Sequence, residues 1–265
     1  MSMREDLFKD LLPVHGEAID PVEMARRDLR KNLPKRFYKQ AHFDLRDGGH
    51  VLLLDGKPAR TPGRKALTLP TAAAAQLVAE EWQAQGELID PAIMPITRIV
   101  NSALDGVQTE MDAVRAEIVR FAGSDLVCYR VVDPDVLVQA QAVAWNSVLD
   151  FARDDLGAQM VLAQGIVFVE QPDHALAAVA RAVDKVQGAI TLATLHVMTT
   201  LTGSALIALA LVHGKMDVDA AWAATHVDED YQMRIWGSDT EAQARRERRW
   251  LEMKAAADLF FAAKV

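Results

Sequence analysis

The sequence predicts an α+β fold in which a small antiparallel β-containing N-terminal domain precedes a larger all-α C-terminal domain. Asp-Gly pairs at residues 47–48 and 55–56 enclose a short apolar run, as in β-hairpins, whose turns need the positive φ that glycine accepts. From Pro70 onward, apolar residues recur at helical spacing between Gly, Pro and Asp boundaries. A chain of 265 residues that is 51% hydrophobic and 25% charged has enough apolar material for a sizeable core.

Three segments are expected in chain order. Residues 1–35 are polar and interrupted by prolines, which predicts an irregular N-terminal arm with one short helix at about residues 22–32. Residues 36–90 are expected to form the small β-rich domain with one helix. Two prolines in the linker ELIDPAIMP place a boundary near residue 90, and residues 91–265 are expected to form the all-helical domain.

The β-rich domain is predicted to hold two short strands and a capped helix. Val51–Leu54 is the apolar strand between the two Asp-Gly turns, and Ala66–Leu69 is a second strand. Thr71 is expected to cap a helix over residues 72–85, because a threonine hydroxyl can accept a hydrogen bond from a backbone N–H of the first turn. Gly86 is expected just beyond the end of that helix.

The helical domain is divided into segments of ordinary helix length. Helices are predicted at about residues 96–105, 109–122, 134–156, 173–187, 189–212, 218–236 and 239–262. Residues 189–212 contain no Asp, Glu, Lys or Arg and are long enough to cross a bilayer. They contain several threonines and a histidine but no Trp or Tyr belt, so we expect a buried central helix and no membrane insertion.

Charge and motifs exclude several functional classes. The net charge of −8 is opposite in sign to that of general nucleic-acid binders. Neither the P-loop nor the dinucleotide-binding glycine pattern occurs, no histidine pair has metal-ligand spacing, and no serine lies in a nucleophile elbow. We therefore expect no metal, no cofactor and no catalytic residue.

Cysteine usage bears on the compartment. Cys128 is the only cysteine and lies between apolar neighbours, which favours a buried, unreactive thiol over a nucleophile. A single cysteine and an acidic N-terminus without a presequence predict a bacterial cytoplasmic protein. A mitochondrial matrix protein that has lost its presequence would look similar.

Carboxylates are concentrated around the start of the last predicted helix, at Asp228, Glu229, Asp230, Asp239 and Glu241. With His226 they could perform acid–base chemistry, yet consecutive residues on a helix point about 100° apart. A solvated helix face, with Ser238 or Asp239 as the helix cap, explains the same carboxylates. Tyr231 and Trp236, beside a glycine break, suit either a protein–protein contact or a core corner.

Short motifs in a fixed order extend over nearly the whole chain. They are RFYK at 36–39, LDGKPARTP at 54–62, LTLP at 67–70, EEW at 80–82, PAIMPITR at 91–98, SDLVCYR at 124–130, a helix bearing Trp145, and EDYQMRIWG at 229–237. In these motifs the sequence resembles the F-type ATP synthase assembly chaperones that act on the alpha subunit, the ATP-twelve family. The first 35 residues carry none of the motifs.

The resemblance implies a two-part fold, no enzymatic activity, and a holdase that binds the free alpha subunit until it joins beta. In this family an acidic residue just after the Trp-Gly break has been regarded as functionally important. By motif position that residue corresponds to Glu241 or, as the second candidate, to Asp239. The other partner-binding candidates of the same corner are Trp236, Asp230 and Glu229.

Two further motif residues are expected to have structural roles. Trp82 is expected to pack the helix at residues 72–85 onto the β unit, and Arg98 to hold the two domains together through a carboxylate. Two other functions stay open at this point: an enzyme with an unrecognised carboxylate and histidine site near residues 226–241, or a structural subunit of a permanent complex.

Overall fold

The computed structural model describes residues 33–165 and 167–264. The short helix predicted at about residues 22–32, and nearly all of the predicted arm, lie outside the described residues. Residues 33–37 and Gln85–Asp90 form one compact unit, in which the N–H of Ile89 donates to the carbonyl of Pro34 at 2.9 Å. Residues 38–84 and 91–264 form the other unit.

A small antiparallel sheet opens the larger unit. Its strands are β1 Ala41–Arg46, β2 Gly49–Leu54, β3 Lys57–Pro58 and β4 Thr68–Leu69. β2 pairs with each of the other three and is buried along most of its length. The predicted hairpin is confirmed, with positive φ at Asp47 and Gly48 in its turn. The second predicted strand, Ala66–Leu69, is shorter than expected, since the regular strand covers Thr68 and Leu69. The Leu67 carbonyl still accepts from the N–H of Leu52 at 3.0 Å, and Ala66 forms an isolated bridge with Arg60.

Helices make up most of the remaining chain and confirm the predicted α+β class. They are α1 Ala72–Gln83, α2 Pro95–Asp105, α3 Met111–Ala122, α4 Asp135–Phe151, α5 Asp173–Asp184, α6 Ala189–Thr202, α7 Ala205–Val212, α8 Val218–Thr225, α9 Val227–Trp236 and α10 Thr240–Ala263. A short parallel pair, β5 Tyr129–Arg130 and β6 Ala163–Gln164, joins the connections around α4. Among the described residues, no helix is both long and apolar enough to span a membrane.

The predicted single helix at residues 189–212 is wrong, because the chain breaks it into α6 and α7. Gly203 takes the left-handed conformation, with φ of 64°, and Ser204 is extended. The Ser204 hydroxyl then accepts a hydrogen bond from the N–H of Ile207 at 2.9 Å, which starts a new helix. The burial predicted for this stretch is found, since every residue of α7 is buried.

Three other helix ends differ from expectation. Thr71 caps α1 as predicted, but α1 ends at Gln83, so Gly86 is not its terminating glycine. The predicted helix at 218–236 is divided at His226, whose backbone leaves the helical region with φ of −111°. The predicted helix at 134–156 ends in a π-turn over Ala152–Leu156.

The domain boundaries at residues 35 and 90 stay a prediction. The larger unit contains both the sheet and the helices, but packing into one unit does not determine whether residues 36–90 can fold alone.

Within this unit the Glu81 carboxylate of α1 accepts hydrogen bonds from the N–H groups of Ile96 and Thr97, at 2.8 and 2.7 Å. It thereby caps α2, which begins at a proline and has no side-chain cap of its own.

A second carboxylate is buried at the start of α7. Asp125 is fully buried and accepts hydrogen bonds from the N–H groups of Val127 and Leu206, at 3.2 and 3.0 Å. Burial raises the pKa of Asp125 to about 6, and hydrogen bonds from Ser204 and from neighbouring backbone N–H groups oppose that rise. The nearby Cys128 thiol is buried too, and burial raises its pKa to about 12.

Asp125 is expected to make stability depend on pH. Its pKa is higher in the folded than in the unfolded chain, so its contribution is present below about pH 4 and is lost as the pH rises through 6. The free energy of unfolding of wild type minus that of Asp125→Asn should fall by about 2 kcal/mol between pH 4.5 and pH 7.5. Urea unfolding at both pH values measures this difference.

Asp217→Asn is the matched control, because Asp217 caps α8 at the protein surface. Its difference from wild type should change far less over the same pH interval. A wild-type advantage over Asp125→Asn that is equal at the two pH values would contradict the prediction.

Candidate functional site at the corner before the last helix

The two final helices meet at a sharp corner formed by residues 237–239. Gly237 has φ of 84°, a conformation that L-residues rarely adopt, and its N–H donates to the carbonyl of Met233 at 3.0 Å. Asp239 then caps α10, since its carboxylate accepts from the N–H of Glu241 at 3.1 Å. Of the two caps that the sequence left open, Ser238 and Asp239, the chain uses Asp239.

Glu241 lies in the first turn of α10 and faces solvent. Its side chain is 80% exposed, and its nearest cation in the described chain is Arg245, with 3.7 Å between carboxylate oxygen and guanidinium nitrogen. An exposed pair at this distance contributes little to stability. The negative charge near a helix N-terminus is mildly favourable, by about 0.3–1 kcal/mol. Glu241 is therefore available for a partner without being required by the fold.

The last helix is anchored by its second half. Its buried side chains are Met253, Ala255, Ala256, Ala257, Leu259, Phe260 and Ala263. Arg249, before this buried run, donates to the carbonyl of Leu201 at the end of α6, at 2.8 Å. The first half of α10, which carries Glu241, is largely solvent-exposed. A rigid helix thus presents its N-terminal half outward.

An ion pair between Asp230 and Arg246 closes the corner by joining α9 to α10. Both side chains are partly buried, so the pair is screened by water less than Glu241 is. The Trp222 and Trp250 rings lie nearby in a tilted arrangement, with ring centroids 5.6 Å apart and an interplanar angle of 43°. Together with Met233 they line a cavity of about 520 Å³ on this side of the corner.

Trp236, the last residue of α9, is 84% exposed, and the neighbouring Ile235 is 51% exposed. The alternative in which Trp236 is a core anchor is therefore wrong. An exposed tryptophan beside a second apolar side chain is typical of a protein-binding site. Tyr231 is half-buried, with the Arg234 guanidinium 5.7 Å from its ring centroid.

His226 is not open to solvent. Its imidazole Nδ1 is 2.8 Å from the carbonyl of Trp222 and its ring lies 4.1 Å from the Trp222 ring. Burial lowers the pKa of His226, which keeps the ring neutral near pH 7. The Glu229 carboxylate is 64% exposed and 3.7 Å from Nε2 of this ring. His226 thus supports the turn between α8 and α9, and Glu229 faces outward.

Sequence reasoning missed a buried amide that positions α9. Gln141 of α4 is 1% exposed, accepts from the N–H of Val131 at 3.0 Å and donates to the Asp228 carboxylate at 2.8 Å. Trp145, one turn later, donates its indole N–H to the carbonyl of Ala224 at 2.7 Å. The signal in the sequence is a polar residue within an apolar stripe of α4 at helical spacing.

The structure also places the two residues expected to be structural. Trp82 lies on α1 with its ring centroid 5.6 Å from that of Tyr38, whose hydroxyl donates to the Trp82 carbonyl. Arg98 of α2 is 2.5 Å from the carboxylate of Glu252 on α10. Both partners of this ion pair lie in residues 91–265, and Arg98 also attracts the Glu81 carboxylate of α1, within residues 36–90. The role of Arg98 in holding the two predicted domains together stays a prediction. Within residues 33–165 and 167–264, no cluster of three metal-ligating side chains occurs.

Comparison with known proteins identifies the family. The family described as ATP12 chaperone protein matches residues 35–153. The solved structure of the Atu1473 protein from Agrobacterium tumefaciens is 45% identical, with a TM-score of 0.85, and the match covers 94% of this chain and 93% of that one. Atp12 from Paracoccus denitrificans is 37% identical, with a TM-score of 0.81 and coverage of 87% and 98%. The chain belongs to the ATP12 chaperone family.

A more distant relative extends this family to mitochondria. Protein atp12 of Schizosaccharomyces pombe, described as mitochondrial, is 22% identical over 222 residues, which are 78% of this chain and 75% of that protein. The family that the motifs of the sequence indicated is confirmed, and with it the predicted chaperone function. The roles of Glu241, Asp239, Trp236, Asp230 and Glu229 in partner binding stay predictions.

Exposure predicts how the corner tryptophans affect stability. Trp236→Ala should leave the free energy of unfolding within about 0.5 kcal/mol of wild type, because the side chain packs on little. Trp222→Ala, at a side chain only 9% exposed, should lower it by about 3–5 kcal/mol. Urea unfolding followed by circular dichroism tests both, and a loss above about 2 kcal/mol for Trp236→Ala would place that side chain in the core.

Proposed function

We propose that this ATP12 family member binds the unassembled alpha subunit of the F-type ATP synthase and keeps it from aggregating until it joins beta. The observation that carries the proposal is the corner before α10, where Trp236 and Glu241 are exposed on rigid helices in a member of a chaperone family. The alpha subunit as client follows from the family resemblance of the sequence motifs.

The physical task matches such a surface. A subunit that awaits assembly exposes a large, partly apolar interface, which tends to self-associate. A protein that binds this interface lowers the concentration of the free, aggregating form by mass action. An exposed tryptophan can supply binding energy, and exposed carboxylates can orient the encounter and speed association.

Release also follows from the proposed contact. The client has to leave when beta arrives, so the chaperone should bind more weakly than the final partner. Glu241 and Glu229 are well exposed, and solvent-exposed charges contribute more to association rate than to affinity. We propose that competition by beta displaces the chaperone, and that its absence from the finished synthase distinguishes it from a permanent subunit.

We further propose that the chain works without catalysis and in a bacterial cytoplasm. The groups offered for an acid–base site have other contacts: His226 is buried, Asp230 pairs with Arg246, and Asp239 caps α10. A lone, buried thiol at Cys128 suits a reducing compartment. The two bacterial relatives, at 45% and 37% identity, are much more similar to the chain than the mitochondrial one is.

A capture assay tests the client and its release. Tagged wild-type chain should retain free alpha subunit, should not retain free beta subunit, and should lose alpha when beta is added. Capture of neither subunit, or of beta alone, would contradict the proposal. Alpha that stays bound in a complex with both subunits would favour a permanent component instead.

Charge reversal tests the corner. Glu241→Lys should weaken alpha binding at least tenfold, while the chain keeps its helical content and nearly all of its stability. Glu80→Lys, at an exposed position of α1, is the matched control and should bind as wild type does. A Glu241→Lys chain that folds and binds alpha with unchanged affinity would remove Glu241 from the interface.

A further inference from the structure

A second set of exposed apolar side chains lies on and near α4, in a part of the sequence well before the corner at residues 237–239. It consists of Val132, Val136, Val143, Val167 and Phe168, called here the α4 apolar surface, and each of these side chains is at least 60% exposed. Val136 and Val143 are seven residues apart on α4, so they share one face of the helix. Apolar groups gathered in this way are typical of interaction sites.

The parallel strands β5 and β6 join the two segments that lead to the α4 apolar surface. Tyr129 pairs with Ala163 and Arg130 with Gln164, and the N–H of Gly165 donates to the carbonyl of Arg130 at 2.9 Å. Both segments leave this ladder in the same direction, because the pair is parallel. Val132 follows the end of β5 by two residues, and Val167 and Phe168 follow the end of β6 by three and four.

Buried contacts hold this surface in place. The Arg130 guanidinium lies 5.2 Å from the centroid of the Trp145 ring and donates to the side chain of Asn146 at 3.1 Å. The N–H of Val131 donates to the buried Gln141 side chain. The residue next to Val132 is thus fixed to α4, and Val136 and Val143 are displayed on that helix.

The same Gln141 side chain connects the α4 apolar surface to the corner. Its amide donates to Asp228 in the first turn of α9, the helix that ends in the exposed Trp236. α4 and α9 also pack directly against each other. One buried amide therefore links the segment just before Val132 to the first turn of α9, the helix that ends at Trp236.

Acidic residues outnumber basic ones along the segments that carry the α4 apolar surface. Asp133 and Asp135 precede Val136, Glu170 follows Phe168, and Arg130 and Arg153 are the only Lys or Arg from residue 130 to residue 173. Arg153 itself pairs with two neighbouring aspartates. A second copy of the chain would bring the same carboxylates against each other, which disfavours self-association. The charge favours a partner whose apolar patch has a basic border.

We infer that the α4 apolar surface is a second contact for the client, used together with the corner at Trp236. The inference rests on the proposed function and commits to the same occupant, the free alpha subunit, at a face with an apolar centre and basic border. Two contacts fixed on one framework let each be weak while the pair holds firmly, because the second contact forms intramolecularly.

Two substitutions on this surface test the inference in the full-length chain. Val136→Asp and Phe168→Asp should each weaken alpha binding at least tenfold in equilibrium titrations, because they place a charge where an apolar contact forms. Leu45→Asp, at a residue of β1 that is 63% exposed, is the matched control and should bind alpha within twofold of wild type. Circular dichroism and thermal unfolding establish that all three variants fold.

The outcomes separate this inference from the proposed function. If wild type binds alpha and both α4 variants bind equally well, the second contact is overturned and the function stands. Equal losses in the Leu45→Asp control overturn it too, because the effect is then not local. If wild type does not bind alpha, both ideas fail. A dimer seen by light scattering that is lost in Val136→Asp, with alpha binding unchanged, would assign the surface to a second copy of the chain.

Discussion

The fully buried carboxylate of Asp125 accepts a hydrogen bond at the start of α7, and the packing of the helical region depends on this contact. Every residue of α7 is buried, so the backbone N–H groups at its start need partners from the protein itself. Ser204 supplies one acceptor from within the chain's own turn, and Asp125, from the connection between α3 and α4, supplies another. This fixes α7 against the preceding half of the domain, and α3, α4, α6 and α8 pack around it. The raised pKa of Asp125 shows the energetic cost of the arrangement.

From this centre, a few polar contacts determine what reaches the surface. Trp145 and Gln141 of α4 donate hydrogen bonds to Ala224 and Asp228, and these bonds hold the α8–α9 segment against α4. Arg249 fixes α10 to the end of α6, and the Asp230–Arg246 pair joins α10 to α9. Because these contacts use the inner faces of the helices, the outer faces are left free for recognition. Sites built on rigid helices hold their geometry better than sites on loops.

A chaperone of this kind has to expose apolar groups without aggregating itself. Carboxylates lie near Trp236 and the α4 apolar surface, and the net charge of −8 of the whole chain disfavours self-association. The Cys128 thiol and the His226 ring are both buried. The groups that reach the surface at the corner are apolar and charged side chains, in a chain that belongs to a chaperone family.

The sequence by itself determined the α+β class, the hairpin at Asp47-Gly48, the cap at Thr71 and the family, because turn chemistry, helix periodicity and ordered motifs are local signals. It did not determine the break at Gly203, since residues 189–212 contain no Asp, Glu, Lys or Arg and the acceptor at the new helix start, Asp125, is distant in sequence. Exposure was decided by tertiary structure alone: a tryptophan at a helix end suits a core or a contact equally, and only the packing of α9 against α4, together with the Asp230–Arg246 ion pair to α10, turns Trp236 outward. The buried bridge through Gln141 was equally invisible, because a glutamine becomes a framework residue only when folding brings two donors and acceptors to it.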